Sequence, residues 1–78
     1  MPKYYFHIRD GEEFEVDAIG TEFANLELAV NDAQLAAREM IAELLMAGEL
    51  LDGQQFEIAD NRGKIVATVP FQSVLRLH

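Results

Sequence analysis

His7 carries an imidazole, a side-chain type suited to general acid–base work, and Glu13 is a carboxylate that a hairpin would bring opposite it. The two could form half of an acid–base pair. A surface cross-strand pair accounts for them better, because nothing else in the sequence completes a reactive set. Ser73 is the one serine, and no Gly-x-Ser-x-Gly elbow surrounds it, so a serine nucleophile is not expected. Asp10, Glu12 and Glu13 are close in sequence but lack the Asp-x-Asp-x-Asp-Gly spacing of a calcium loop. Turn chemistry explains Asp10 better. Five glycines are scattered, one per turn, so no phosphate-cradling loop is formed. Tyr4, Tyr5 and Phe6 could suggest a base-stacking platform. Strand alternation instead sends Tyr4 and Phe6 to one face, as core, and Tyr5 to the other. Arg9, Arg62 and Lys64 lie at hairpin tips and would make a small basic spot if the tips were neighbours; solvated turn residues are the simpler reading. No catalytic residue, metal ligand set or cofactor is expected.

The elements that would hold these residues belong to a chain of 78 residues with no cysteine. That length is one domain, residues 1–78. It cannot draw on disulfides or thiolate–metal sites, so packing or a partner must supplement a small core. Half the residues are apolar, which excludes a disordered chain. No apolar stretch approaches the roughly 20 residues of a membrane span. The start, Met1-Pro2-Lys3-Tyr4, has no apolar core of a signal peptide, so a cytoplasmic location is expected. The net charge of −8 divides as −3 over residues 1–17, −6 over 18–53 and +1 over 54–78. An acidic field repels phosphate backbones and anionic lipid, so neither nucleic acid nor membrane is expected as a partner. A basic protein partner would be attracted.

The pattern predicts an α+β domain of order hairpin–helix–hairpin (ββαββ). An antiparallel sheet packs on one long helix, and a short helical turn follows at the C-terminus. Residues 3–9 and 12–17 read as the first two strands, and a three-residue loop Arg9-Asp10-Gly11 pairs Tyr4 with Val16 and Phe6 with Phe14. A two-residue Asp10-Gly11 loop would mix core and charge on one face, which argues against it. Asn25 is a fitting N-cap and Gly48 a C′ glycine, so the helix should run from Leu26 to Ala47. The second hairpin runs from Gln54 to Asp60 and from Lys64 to Val69, around Asn61-Arg62-Gly63. It pairs Ile58 with Val66 and Phe56 with Thr68. The expected core is Tyr4, Phe6, Ile8, Phe14, Val16, Val30, Ala33, Ala37, Met40, Leu44, Phe56, Ile58 and Val66. Both Gly11 and Gly63 are expected at positive φ. Phe71, Val74 and Leu75 have the spacing of one helical turn.

The helix carries two apolar stripes. Leu26, Val30, Ala33, Ala37, Met40 and Leu44 form the first. Leu28, Leu35, Ala42 and Met46 form a second, roughly opposite. The last strand has Ile65, Ala67 and Val69 on its second face. One sheet cannot cover all of these, so a homodimer is expected, with Leu28, Leu35, Ala42, Met46, Ile65, Ala67 and Val69 as its candidate interface.

The chain resembles a family of short bacterial proteins that form a domain of unknown function. The likeness lies in the start, Met1-Pro2-Lys3-Tyr4-Tyr5-Phe6-His7-Ile8-Arg9-Asp10-Gly11, in a central Ala37-Arg38-Glu39, and in Ile58-Ala59-Asp60-Asn61-Arg62-Gly63 running on to Ala67-Thr68-Val69-Pro70-Phe71. It implies the domain boundaries and a bacterial setting, and no activity or cofactor. The Tyr-Tyr strand leading to an alanine-rich amphipathic helix is also similar to antitoxins that neutralise small RNA-cleaving toxins. Those usually have a third strand before the helix, which only Gly20-Thr21-Glu22-Phe23 could supply here. Three functions are therefore in view. The first is a small, non-enzymatic, self-associating interaction or regulatory module. The second is an antitoxin-like protein that binds a basic toxin. The third is an enzyme or ligand carrier whose site forms across a dimer.

Overall fold

A computed structural model of the chain describes residues 1–49 and 53–75. The order of elements is β1 (Lys3–Asp10), β2 (Glu13–Glu15), β3 (Thr21–Glu22), α1 (Leu26–Met46), β4 (Gln54–Ala59), β5 (Ile65–Pro70) and a 3₁₀ turn, Phe71–Leu75. This is the hairpin–helix–hairpin plan with a two-residue strand added before the helix. The strands form one antiparallel sheet in the order β2-β1-β4-β5. β3 also pairs with β1, Lys3 with Glu22 and Tyr4 with Thr21. β4 occupies one edge of β1, so β2 and β3 share the other, end to end. The hydrogen bond from Phe23 N–H to the Pro2 carbonyl (3.0 Å) closes the β3 end. There Phe23 stacks on Phe6 (ring centroids 5.8 Å).

The helix begins and ends as its caps dictate. Asn25 is extended, and its side-chain oxygen accepts from Leu28 N–H at 2.9 Å. At the other end Glu49 N–H reaches the Leu44 carbonyl (2.9 Å) and Gly48 N–H reaches Leu45 (3.1 Å). With Gly48 at φ +75°, this is a Schellman motif. Asn25→Ala should cost about 1 kcal/mol in urea unfolding; an unchanged midpoint would show that the cap does not hold the helix start.

One helix face lies on the sheet. Ala29, Ala33, Ala37 and Ile41, four apart, are buried there and let the backbone approach closely. Ala33, Ala37 and Ile41 meet Phe56, Ile58, Val69 and Phe71, with Tyr4, Phe6, Ile8, Val30, Met40 and Val66 packed around them. The buried row shares Ala33 and Ala37 with the expected stripe and has the same mean direction; Ala29 and Ile41 complete it, while the stripe's bulkier members, Leu26, Val30, Met40 and Leu44, are half-buried.

The first hairpin departs from expectation. Asp10 pairs with Glu13, Arg9 with Phe14 and Ile8 with Glu15. Gly11 and Glu12 are therefore the central residues of a two-residue turn. Gly11 sits first, at φ +60°, as a type II′ turn requires. The register is offset by three residues from the expected one. An odd offset turns every side chain of the strand to the other face. Phe14 and Val16 leave the core and are exposed, while Glu13 and Glu15 turn to the helix side.

The second hairpin has the expected loop. Gly63 is at φ +82°, and Asp60 N–H donates to the Lys64 carbonyl at 2.9 Å. The Asp60 carboxylate also accepts from Arg62 and Lys64 N–H. A bulge at Ile58/Ala59 then slides the register by one. Ile58 faces Ala67 and Phe56 faces Val69, in place of Val66 and Thr68. The slip carries Ala67 and Val69 to the helix side, where Val69 is buried along with Phe71.

Candidate interaction surfaces

The helix covers one face of the sheet, and among the described residues no element covers the other. Alternation along β1 sends Tyr5, His7 and Arg9 there, joined by Phe14 from β2 and Glu57 from β4. The Arg9 guanidinium lies 4.4 Å from the Phe14 ring centroid, and His7 meets that ring edge-on at 5.3 Å. Arg9 Nε donates to Glu57 Oε2 at 3.0 Å, and so does the Gln55 side-chain amide. These bonds, Arg9 first and then Gln55, hold the Glu57 carboxyl below the usual carboxylate range against the opposing effect of burial. The Arg9 side chain is 40% exposed, so the pair contributes at most about 1 kcal/mol.

His7 does not meet Glu13. Its register neighbour is Glu57 on β4, and its Nδ1 accepts from Asp17 N–H at 3.1 Å. That bond needs an unprotonated Nδ1. The Asp17 carboxylate fills the gap where β2 has ended and β3 has not begun. Its Oδ2 accepts from Phe6 N–H, and its Oδ1 from Ile19 and Gly20 N–H, all at 3.1 Å. Burial alone would raise its pKa, but the Gly20, Phe6 and Ile19 N–H groups and the nearby His7 together hold it below the ordinary value. The sequence reading missed Asp17. Its signal was an acidic residue in a Gly-containing connection, too common to single out.

The hairpin tips are not neighbours, so Arg9, Arg62 and Lys64 do not form a basic spot. The tip at Gly11 adjoins the Gln54 end of β4, and the tip at Arg62 adjoins the Ala59 end, at opposite ends of the strand. Arg9 is therefore far from Arg62 and Lys64.

Of the residues expected at a dimer interface, Leu28, Leu35, Ala42 and Met46 are all exposed on the helix face turned from the sheet. Leu35 is 57% and Met46 89% exposed. Leu45 beside them is exposed too. Ile65 is exposed on the open sheet face; Ala67 is half-buried and Val69 is buried in the chain's own core. The strand half of the expected interface is thus reduced to Ile65, because the bulge turns its other two members inward.

A hollow of about 230 Å³ lies between the first hairpin and the last turns of α1. Ile8, Met40, Leu44 and Phe71 line its floor, with Asp10, Glu13 and Glu15 around it. Among the described residues no group of three or more histidine, aspartate or glutamate side chains is arranged to hold a metal ion, and no helix is long and apolar enough to cross a membrane. His78 and residues 50–52 lie outside the described residues.

No curated protein and no solved structure matches the chain significantly. A family model does, over residues 3–72, which takes in every strand and the whole helix. The opening Tyr-Tyr-Phe strand, the alanine-faced helix and the closing hairpin are thus all inside the matched span, and the chain belongs to the family described as a domain of unknown function, DUF6894.

Proposed function

We propose that this chain is a small, non-enzymatic interaction module that self-associates through the outer face of α1. The observation that carries the proposal is the line Leu28, Leu35, Ala42 and Met46, exposed along the helix directly away from the sheet. Water-facing helix positions away from a core are ordinarily polar. A run of apolar side chains there raises the cost of leaving the helix unpartnered, by about 25 cal/mol per Å² of apolar surface. A second copy would cover the line with the same line, as a two-fold contact requires. The acidic row Asp32, Glu39 and Glu43 runs alongside. Its self-repulsion makes the association weaker at low ionic strength and stronger as salt screens it.

The expected result, by light scattering after gel filtration at tens of micromolar, is a solution mass that rises to twice that of the chain as salt is added. Leu35→Lys should return the mass to that of one chain. A wild type that is monomeric throughout ends the proposal, and a Leu35→Lys dimer moves the contact elsewhere.

One observation favours a second reading. Thr21–Glu22 does pair with β1, giving three strands before the helix, as the antitoxin likeness needs. In that reading the acidic surface is complementary to a basic toxin. Co-purification of a basic partner from the native host, eluted by salt, would support it over self-association alone.

A further inference from the structure

We infer that the hollow between the first hairpin and the C-terminal half of α1 is a docking groove for a basic, amphipathic segment of a partner protein. The inference does not depend on self-association, which uses the opposite side of the helix. It begins with an arrangement that costs stability. Asp10 and Glu13 are direct cross-strand partners, and like charges in that position repel. Glu15, two residues on, is on the same face, opposite Ile8. None of these three carboxylates has an ion pair or hydrogen bond among the described residues. They face the helix side of the sheet, where the other strands present core residues.

The groove they border has an apolar floor. Ile8, Met40, Leu44 and Phe71 line it, and its volume is about 230 Å³. That is below the roughly 300–1,000 Å³ of pockets that enclose small-molecule ligands. It suits side chains laid in from a partner. The helix adds to the field. Its last turn contains no basic residue, so the negative end of the macrodipole is uncompensated beside Leu44. An apolar floor under an acidic rim that no described residue neutralises fits a lysine or arginine, whose aliphatic stem packs on carbon while its charged head reaches the carboxylates. An anionic or purely apolar occupant would leave three carboxylates desolvated and unpaired, which is costly.

The probe is a fluorescein-labelled peptide of alternating arginine and leucine, titrated into the full chain and followed by anisotropy. Backbone and methyl NMR shifts map its site. The expected result is binding that moves the resonances of Ile8, Glu13, Met40 and Leu44 together. Affinity should fall about tenfold between roughly 50 and 300 mM salt. The double variant Glu13→Gln, Glu15→Gln should lose about tenfold in affinity. It should also fold at least as well as wild type, since it removes a like-charge pair. The control Glu22→Gln, Glu27→Gln removes two charges at the end of the domain away from the groove and should bind within about twofold of wild type. Equal losses in the two double variants would show attraction by net charge alone and overturn the inference. So would shifts spread evenly over the surface. An acid-to-amide variant that binds normally but aggregates through β2 would overturn it as well, since inward charges also protect exposed sheet edges.

Discussion

Phe56→Ala should remove about 3–5 kcal/mol of stability, the largest loss expected of any single truncation in this chain. Phe56 is buried at the centre of the sheet, on β4 between β1 and β5. Its ring lies 5.7 Å from that of Phe6 and 5.0 Å from that of Phe71. It therefore ties the first hairpin, the second hairpin and the C-terminal turn to one point. Truncation loses both the transfer free energy of the ring and two aromatic contacts, and leaves a cavity that alanines on the facing helix are too small to fill. A domain of this length has about 4–12 kcal/mol in all, so the variant should be largely unfolded in moderate urea. A loss under about 1 kcal/mol would mean that the three aromatic rings do not form the centre of the core.

Asp17→Ala should follow, at about 2–3 kcal/mol. Three backbone N–H groups, of Phe6, Ile19 and Gly20, depend on this carboxylate. Without it these three N–H groups in the gap between β2 and β3 lose their carboxylate partner. The pH dependence has a definite sign. The folded-state pKa of Asp17 lies below its ordinary value. Its contribution is thus fully present above the unfolded pKa and is lost as pH falls through the folded one. Wild type and Asp17→Ala should differ most in stability at neutral pH and converge in acid, as read by urea unfolding across a pH series. A gap that widened in acid would contradict the assigned bonds.

Much of this fold is legible in the residues. Asn25, Gly48 and the helical spacing between them bound α1 to within a residue. Asn61-Arg62-Gly63 defines the second loop. The first hairpin is less legible because Gly11 satisfies two loops equally well. A left-handed residue is needed third in a three-residue loop and first in a type II′ turn, so the glycine alone does not choose. The two-residue loop that the mixing of core and charge argued against is Asp10-Gly11; the loop formed is Gly11-Glu12, one residue on, and it too sets Ile8 beside glutamate, at the acid-rimmed groove. β3 is two residues long, too short for any periodicity to register. The bulge that turns Ala67 and Val69 inward leaves no glycine or proline at the slip, so nothing in the local sequence marks it. The exposed line on the helix was readable in advance, because helix spacing is fixed by the backbone. The strand residues were not, because a single-residue slip reverses them.

Contact between identical helices is the central claim, and isotope-filtered NMR on a mixture of labelled and unlabelled chains tests it without mutation. The expected result is a set of nuclear Overhauser effects passing from one chain to the other among the Leu28, Leu35 and Met46 methyl groups. At a concentration where light scattering gives a dimer, the absence of such effects from these methyls, with intermolecular effects arising at the open sheet face instead, would contradict it.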